Sequence, residues 1–404
     1  MKKLLLLILG CVLALTATAQ PTSLRGVTGR HWVGTWATAI QPVVKSFMPY
    51  NNCMTNRSVR QVVKVSIGGN VVRLKISNEL STEPLVIRSV YIAPALEGAA
   101  IVPKEARYLQ FGKKYKVTIP AGKAVWSDAL SFPLKALSRL AITINYTKAP
   151  VVPTVHMGSR TTSYIVKGCT NAHSSFAKAF REEHWFNIAA LDVYDFQASA
   201  VAIIGNSITD GKNSTDNAQN RWPDILSETL QKKYKKTDLG ILNLGIGNNR
   251  VATTGGFGYP AKTRFDHDIL EQSGVSAVVI FEGINDIGNA RTGESEAVAQ
   301  LLIRSYEEMI KKAREHHLKV YLGTITPMKG CGVYYNLFHE AAREQVNEWI
   351  RKQRGRVDGI LDFDELLRDR EEPHQLKREY QSDWLHPNPE GYRVMGEYAA
   401  SVLK

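Results

Sequence analysis

Hydrophobic and polar residues alternate with a period of two from about residue 59 to residue 146. Short runs rich in Val, Ile and Tyr are separated by Gly, Pro and Asn, without helical periodicity between them. This pattern is typical of an all-β sandwich or jelly-roll-like domain. Strands are predicted at residues 59–67, 71–76, 85–93, 115–119, 129–134 and 140–146. The turn Gly68-Gly69-Asn70 predicts that the first two strands form a β-hairpin.

After residue 198 the pattern changes to alternating strands and helices. Repeated βα units predict a mostly parallel sheet with helices on both faces, a flavodoxin-like three-layer α/β/α arrangement. The change of period predicts a β-rich accessory domain at residues 20–195 and an α/β domain at residues 196–404. Apolar runs predict strands at 200–204, 239–244, 277–281, 319–325 and 359–363, and helical spacing predicts helices at 222–235, 297–316, 338–354 and 388–403.

The first residues have the pattern of a cleaved secretory signal. Two lysines precede an apolar run at residues 4–15, and Ala17-Thr18-Ala19 provides a small-x-small cleavage site. The run is shorter than the ~20 residues needed to span a bilayer. We therefore predict a signal peptide at residues 1–19, cleaved after Ala19, and a secreted or periplasmic protein. A lipoprotein with its lipid on Cys11 is the alternative, although much apolar sequence follows that cysteine.

Composition narrows the class of protein. With 44% hydrophobic and 22% charged residues, the chain has the composition of a soluble globular protein. The formal net charge of +13 and the basic run at 231–236 come without a nucleic-acid-binding motif, so a solvated helix end is the simpler interpretation. Attraction to an anionic polysaccharide or cell surface stays open. Cys53, Cys169 and Cys331 form no C-x-x-C pair, which leaves one disulfide possible and gives no zinc-ligand pattern.

Four short motifs carry the candidate chemistry. Three of them follow predicted strands, and the fourth lies in the loop before the last helix. Ligands of open α/β sheets bind at the carboxyl ends of the strands, so we expect all four motifs to meet in one cleft. The motifs are Gly-Asn-Ser-Ile at 205–208, Asn-Leu-Gly-Ile-Gly-Asn-Asn at 243–249, Gly-Ile-Asn-Asp at 283–286 and Asp-Trp-Leu-His at 383–386.

In these motifs the C-terminal half, residues 196–404, resembles the SGNH hydrolase family, also called GDSL-like esterases and lipases. The first motif matches the family block Gly-Asp-Ser-(Leu/Ile) with Asn206 in place of Asp, and the third and fourth match Gly-x-Asn-Asp and Asp-x-x-His. In the second motif Asn248 stands where the family has a glycine whose amide helps to hold the oxyanion. A backbone N–H survives this exchange, and Asn tolerates positive φ.

Acyl transfer needs a nucleophile, a base, a group that orients the base, and donors for the oxyanion. We assign Ser207 as nucleophile, His386 as general acid and base, and Asp383 as the carboxylate that orients His386. Alone, Ser207 would be read as a helix cap; the other motifs favour catalysis. The resemblance implies three oxyanion donors, namely the Ser207 amide, the amide of Asn248 or Gly247, and the Asn285 side chain.

Other residues are weaker candidates for substrate contacts. Arg250 and Tyr259 flank a glycine-rich segment that lacks the spacing of a phosphate loop. Trp384 lies inside the last motif, where plain packing is an equally good interpretation. His156 belongs to the β-rich domain, in a loop that could lean over the cleft. Asp286 is interpreted as structural, tying its loop through side-chain to backbone hydrogen bonds.

The sequence thus predicts an exported serine esterase that removes acyl groups, in the first place acetyl, from a carbohydrate. Ester chemistry follows from the four motifs, whereas the prediction of a carbohydrate substrate depends on the family resemblance, the export signal and the accessory domain. One alternative is a lipase or lysophospholipase, which would need an apolar groove. Another is a carbohydrate-binding protein with a vestigial site. The chemistry requires no metal ion or organic cofactor, and we expect neither a nucleic-acid partner nor a membrane span.

Overall fold

The computed structural model describes residues 32–49 and 54–404. The predicted signal peptide, with Cys11, and Cys53 lie outside the described residues. Antiparallel strands continue up to Tyr194, and a parallel sheet begins at Ser199. Within the described ranges, no helix is long and apolar enough to cross a membrane.

The N-terminal region is an antiparallel β-sandwich. One sheet has the order β1-β15-β4-β8, with β9 also pairing with β4, and the other has the order β13-β12-β3-β10-β5-β6, with β7 pairing with β5. A small third sheet has the order β14-β11-β2. Strands β1 to β15 are Trp32–Ala37, Gln41–Pro42, Arg57–Lys64, Gly69–Asn78, Leu85–Pro94, Arg107–Leu109, Val117–Ile119, Lys123–Trp126, Leu130–Leu134, Arg139–Lys148, Thr154–His156, Ser163–Lys167, Phe180–Glu182, Trp185–Phe186 and Ile188–Tyr194.

The apolar side chains of the period-two pattern form the core between the two large sheets. Val72, Leu74 and Ile76 of β4 are fully buried, and they share one hydrophobic core with Ile142 and Ile144 of β10 in the opposite sheet. Successive side chains on a strand point to opposite faces, so every second residue along β4 and β10 reaches this core.

The predicted hairpin is wrong, because β3 and β4 lie in different sheets. Strand β3 pairs with β10 on one edge and β12 on the other, so no edge is left for β4. The chain crosses between the sheets at residues 65–68, where Ser66 and Ile67 donate backbone hydrogen bonds to Thr35. Alternation within two strands indicates that each is half-buried, and it does not determine whether they share a sheet.

The C-terminal region is built from five parallel strands in the order β17-β16-β18-β19-β20, which is the flavodoxin-like order and agrees with the predicted parallel sheet. Strands β16 to β20 are Ser199–Gly205, Leu239–Gly245, Val275–Phe281, Lys319–Gly323 and Gly359–Leu361. Helices α1 to α8 are Ser207–Asp210, Trp222–Lys232, Ala261–Phe265, Ile284–Gly288, Ser295–Glu315, Leu337–Lys352, Phe363–Leu367 and Pro389–Leu403.

Helices cover both faces of the parallel sheet. On β16, Val201 and Ile203 point into a core shared with α2 and α8. Ala202 and Ile204 point the other way, into the core that contains the buried faces of α5 and α6. Burial on both faces explains why β16 reads as a continuous apolar run rather than as an alternating one.

The β-sandwich is docked against β17, an edge strand of the parallel sheet. Ser66 Oγ accepts a hydrogen bond from the Ile241 amide of β17 at 3.0 Å. Nearby, the Gly34 amide donates to the carbonyl of Ser273, just before β18, at 2.9 Å. At Gly240 a Cβ atom would lie 2.2 Å from the Gly34 carbonyl oxygen, so the two backbones approach more closely than a side chain would allow.

Candidate active site

Ser207 is delivered to the sheet edge by the end of β16. The strand ends at Gly205, where a Cβ atom would lie 2.2 Å from Thr209 Oγ1, so this tight turn requires glycine. The Asn206 side chain caps α1 by accepting a hydrogen bond from the Ile208 amide at 2.9 Å. Asn at this position therefore keeps the oxygen that the cap needs. Ser207 is 8% exposed.

The structure brings the three predicted triad side chains together. Ser207 Oγ lies 2.8 Å from His386 Nε2, and His386 Nδ1 lies 2.8 Å from Asp383 Oδ2. Donation from Nδ1 to the carboxylate leaves Nε2 of the neutral ring without hydrogen, so Nε2 can accept the serine proton. The serine and the histidine lie 179 positions apart in the chain and meet only through the fold.

Asp383 is held by hydrogen bonds from its own loop and from one neighbour. Oδ1 accepts from the His386 amide at 2.8 Å and from the Leu385 amide at 3.1 Å. Oδ2 also accepts from Asn213 Nδ2 at 3.1 Å, a contact that no sequence motif indicated. Burial alone would raise the pKa of Asp383, but the hydrogen bonds from the His386 ring and amide outweigh it and lower the pKa below its ordinary value.

The loop after β17 distinguishes the two candidate oxyanion amides. The Gly247 amide donates to Asp210 Oδ2 at 3.0 Å and is therefore engaged. Asn248 has a φ of 54°, and its amide makes no hydrogen bond to any other residue that the structure describes. The Ser207 amide is equally unpaired within the described ranges. Of the two alternatives, the geometry favours Asn248 as the donor.

Asn285, at the start of α4, is buried and held at both ends of its carboxamide. Nδ2 donates to the Asn249 carbonyl at 2.7 Å, and Oδ1 accepts from the Tyr334 hydroxyl at 2.8 Å. The nitrogen carries two hydrogens, so one remains for another acceptor. Tyr334 was not singled out by the sequence, because it lies in a loop of no recognisable motif between β19 and α6.

Asp286 ties down the segment that follows the second motif. Its carboxylate accepts hydrogen bonds from the amides of Val251, Ala252 and Thr253 at 2.8, 3.2 and 3.1 Å. The Thr253 hydroxyl donates to the same carboxylate at 3.0 Å. This arrangement confirms the structural interpretation of Asp286, which supports the loop while the neighbouring Asn285 is directed elsewhere.

Three of the weaker candidates lie in loops around the site. Arg250 Nη1 donates to the Thr254 carbonyl at 2.6 Å, so its side chain closes the glycine-rich loop. Tyr259 is 55% exposed. Trp384 has a φ of 62° and packs over Gly330, where a Cβ atom would lie 2.6 Å from Trp384 Cγ. These contacts are consistent with both packing and substrate binding.

His156 is not available for substrate. The side chain is 3% exposed, and its Nδ1 and Nε2 lie 2.9 Å from the Ala39 carbonyl oxygen and from Asp210 Oδ1. The interpretation of His156 as a substrate contact is therefore corrected. Its loop does reach the α/β domain, as expected, but the ring is buried between the two domains rather than lining the cleft.

A cleft of about 730 Å³ lies between the two domains. The α/β domain contributes Asp210, Gly247 and Phe257, and the β-sandwich contributes Phe47 and Arg160 among others. Gly247, one of its lining residues, directly precedes Asn248 in the chain. It mixes aromatic, charged and polar side chains.

One group of potential metal ligands occurs among the described residues, at Glu340, Glu344 and His374. It belongs to α6 and the segment after α7, not to the four motifs. Glu340 Oε1 already pairs with Arg343, at 2.5 Å from Nη2, and lies 2.9 Å from His374 Nδ1. The guanidinium supplies the positive charge that Glu340 needs, so this group has an explanation without a metal ion.

Comparison with known proteins identifies the domain. Residues 203–394 match the GDSL-like Lipase/Acylhydrolase family. A lipolytic protein of the G-D-S-L family from Desulfitobacterium hafniense is 24% identical, with 50% of this chain and 99% of that chain covered and a TM-score of 0.39. A GDSL-like lipase from Bacteroides thetaiotaomicron is 18% identical (51% and 87% covered, TM-score 0.38), and the acetyl xylan esterase AlAXEase is 19% identical (51% and 100%, TM-score 0.40). No curated protein sequence matches the chain.

Proposed function

Because residues 203–394 form a GDSL-like lipase/acylhydrolase domain, we propose that this protein is an exported serine esterase that removes acetyl groups from a carbohydrate. The observation that carries the ester chemistry is the 2.8 Å contact between Ser207 Oγ and His386 Nε2, with Asp383 on the far side of the ring. Export depends on residues 1–19, whose pattern is that of a signal peptide.

In the first half of the reaction, Ser207 Oγ attacks the ester carbonyl while its proton passes to His386 Nε2. The carbonyl oxygen becomes an oxyanion, which the amides of Ser207 and Asn248 and the second Nδ2 hydrogen of Asn285 are available to stabilise. His386 then donates its Nε2 proton to the leaving alkoxide. The C–O bond breaks, the sugar hydroxyl is released, and an acetyl-serine remains.

In the second half, a water molecule replaces the alcohol. His386 Nε2 accepts a water proton as the oxygen attacks the acetyl-serine carbonyl, and it returns that proton to Ser207 Oγ as acetic acid departs. Asp383 stabilises the imidazolium at both stages, and its lowered pKa keeps it ionised for this task. Every bond made and broken is accounted for by the ester, water and residues of this chain.

The lining of the cleft supports a sugar rather than a lipid as the alcohol part of the ester. Phe47 and Phe257 are 50% and 38% exposed, and each can stack on the apolar face of a sugar ring. The lining also contains Arg181, Glu183 and Lys212, whose side chains can form hydrogen bonds with hydroxyl groups. A lipase groove would need a continuous apolar wall for an acyl chain, and charged side chains interrupt this one.

Two measurements test the proposal. Acid release should occur on a panel of acetylated glycans, with at least one polymer hydrolysed faster than p-nitrophenyl acetate at equal ester concentration. In a series of p-nitrophenyl esters, activity should fall as the acyl chain lengthens from two to eight carbons. Rising activity along the series would support the lipase alternative, and glycan binding without acid release from any ester would support a vestigial site.

A further inference from the structure

Asp210 connects the nucleophile helix with two other parts of the molecule, the loop after β17 and the β-sandwich. The residue ends α1, one turn after Ser207, and its amide donates to the Asn206 carbonyl at 2.9 Å. One carboxylate oxygen, Oδ2, accepts the Gly247 amide at 3.0 Å, and the other, Oδ1, lies 2.9 Å from His156 Nε2. The carboxylate is 3% exposed. A buried carboxylate with this set of partners fixes the geometry of every group bonded to it.

His156 approaches this carboxylate from the β-sandwich. The ring lies between Asp210 Oδ1 and the Ala39 carbonyl, which are both acceptors. Both contacts are hydrogen bonds at once only when both ring nitrogens carry hydrogen. Arg160 adds a second positive group, with Nη2 3.7 Å from Asp210 Oδ2. Burial would raise the pKa of Asp210, but the charges of His156 and Arg160 outweigh it and lower the pKa.

Two glycines pack closely against Asp210. On the β-sandwich side, a Cβ atom at Gly158 would lie 2.0 Å from Asp210 Oδ2. On the other side, a Cβ atom at Gly245 would lie 2.4 Å from the Asp210 amide nitrogen. Both positions are glycine, so α1 sits closely between the end of β17 and the β11 loop of the sandwich.

Asp210 is linked to both unpaired amides of the site, those of Ser207 and Asn248. Ser207 belongs to the helix that Asp210 ends, and Asn248 follows the residue whose amide Asp210 holds. A displacement of the carboxylate would therefore move the loop carrying Asn248 relative to Ser207. Oxyanion stabilisation depends steeply on this spacing, because the donors must point at one atom.

We propose that Asp210 is a positioning residue for the oxyanion donors and that His156 of the β-sandwich holds it in place. The β-sandwich is then part of the catalytic apparatus, since the site is not fully ordered without a side chain from the other domain. The inference rests on the proposed esterase function, and it assigns to the accessory domain a role in turnover in addition to lining the cleft.

The test uses two matched variants of His156 in the full chain. His156→Gln can present its Nε2 hydrogen to Asp210, whereas the shorter His156→Asn can bond to the Ala39 carbonyl but cannot reach Asp210. With p-nitrophenyl acetate we expect kcat to fall about 10- to 100-fold in His156→Asn with KM changed less than threefold, and to stay within about threefold of wild type in His156→Gln. The thermal unfolding midpoint is measured for each.

Two variants at position 210, Asp210→Asn and Asp210→Ala, test whether the hydrogen bond to the Gly247 amide is what matters. Asn can accept the Gly247 amide with Oδ1 and donate to a neutral His156 ring with Nδ2, so Asp210→Asn should retain most of kcat. Asp210→Ala has no acceptor for the Gly247 amide and should lose about 10- to 100-fold. Should Asp210→Ala fail to fold, the two His156 variants decide the question by themselves.

Ser273→Ala is the control, because it removes a hydrogen bond between the two domains that lies far from the site. Ser273 Oγ accepts a hydrogen bond from Arg73 of the β-sandwich at 2.9 Å, just before β18 and so at the end of the sheet opposite the site. Its kcat should equal that of wild type. Wild-type kcat in folded His156→Asn, or an equal loss in Ser273→Ala, would overturn the proposal. An inactive wild-type protein would instead contradict the esterase function itself.

Discussion

The hydroxyl of Tyr334 donates a hydrogen bond to Asn285 Oδ1 across 2.8 Å. The Asn249 carbonyl can only accept, so Nδ2 is directed towards it, and the Tyr334 hydroxyl holds Oδ1 at the other end of the carboxamide. Tyr334 comes from the loop after β19, whereas Asn285 follows β18. A candidate oxyanion donor is therefore oriented by a residue that no motif of the chain contains.

Tyr334→Phe should lower kcat on p-nitrophenyl acetate by about tenfold, because the ring keeps its packing while Asn285 loses the bond that orients it. Asn285→Ala removes the donor itself and should cost about 10²- to 10³-fold. If the double variant is no slower than Asn285→Ala alone, Tyr334 acts through Asn285. Independent, multiplying losses would contradict that coupling.

Ser207→Ala should lower the turnover of p-nitrophenyl acetate by at least about 10³-fold, because no other group can form the acyl intermediate. Its unfolding midpoint should stay close to that of wild type, since a single hydroxyl is removed. Ser227→Ala on α2 is the matched control, because the Ser227 hydroxyl is buried without a hydrogen-bond partner among the described residues. Retained activity in Ser207→Ala would exclude this mechanism.

The backbone at position 248 can be tested through its conformation. Asn248→Gly keeps the amide and accepts a φ of 54° without strain, so its kcat should remain within about threefold of wild type. Asn248→Val also keeps an amide, but a β-branched residue is strongly disfavoured at positive φ and should shift the loop. We expect kcat to fall about 10- to 100-fold in the Val variant. Equal activity of both variants would argue against an oxyanion role for this amide.

His267 and Glu79 form a second contact between the domains, with a distinct pH dependence. His267 Nδ1 lies 2.6 Å from Asp268 Oδ1, and Nε2 lies 3.3 Å from Glu79 Oε1. The hydrogen bond to Asp268 and the close contact with Glu79 raise the pKa of His267 to about 10. For Glu79, burial would raise the pKa, but the contacts with His267 and Lys75 outweigh it and lower the pKa to about 2.

A raised pKa means that the folded protein holds this proton more tightly than the unfolded chain does. The stabilisation is complete below the ordinary histidine pKa of about 6.5 and is lost as the pH rises towards 10. His267→Gln should therefore lower the free energy of unfolding by about 2 kcal/mol at pH 6 and by much less at pH 10. Urea unfolding at both pH values measures the difference. The exposed His173, replaced by Gln, should show no such trend, and a constant difference for His267 would refute the expectation.

Much of this protein could be predicted from local sequence. Apolar runs of five to seven residues located the parallel strands, because strands buried on both faces admit few polar side chains. Ser207, Asp383 and His386 were found from short motifs, since a turn that exposes a serine and a loop that pairs Asp with His each need only a few neighbouring residues. Strands β11 to β14 were not predicted, because each is only two to five residues long, and the longer β15 was also missed.

What the sequence determined by itself was the type of each domain and the short motifs that contain Ser207, Asp383 and His386, because periodicity and short motifs are local properties. The tertiary structure decided that β3 and β4 lie in separate sheets, that the Gly247 amide is hydrogen-bonded while the Asn248 amide has no partner among the described residues, and that Tyr334 and His156 contact Asn285 and Asp210. Each of these depends on the relative placement of segments far apart in the chain. Side chains that meet only through packing leave no periodic or short-range pattern from which their contact could be inferred.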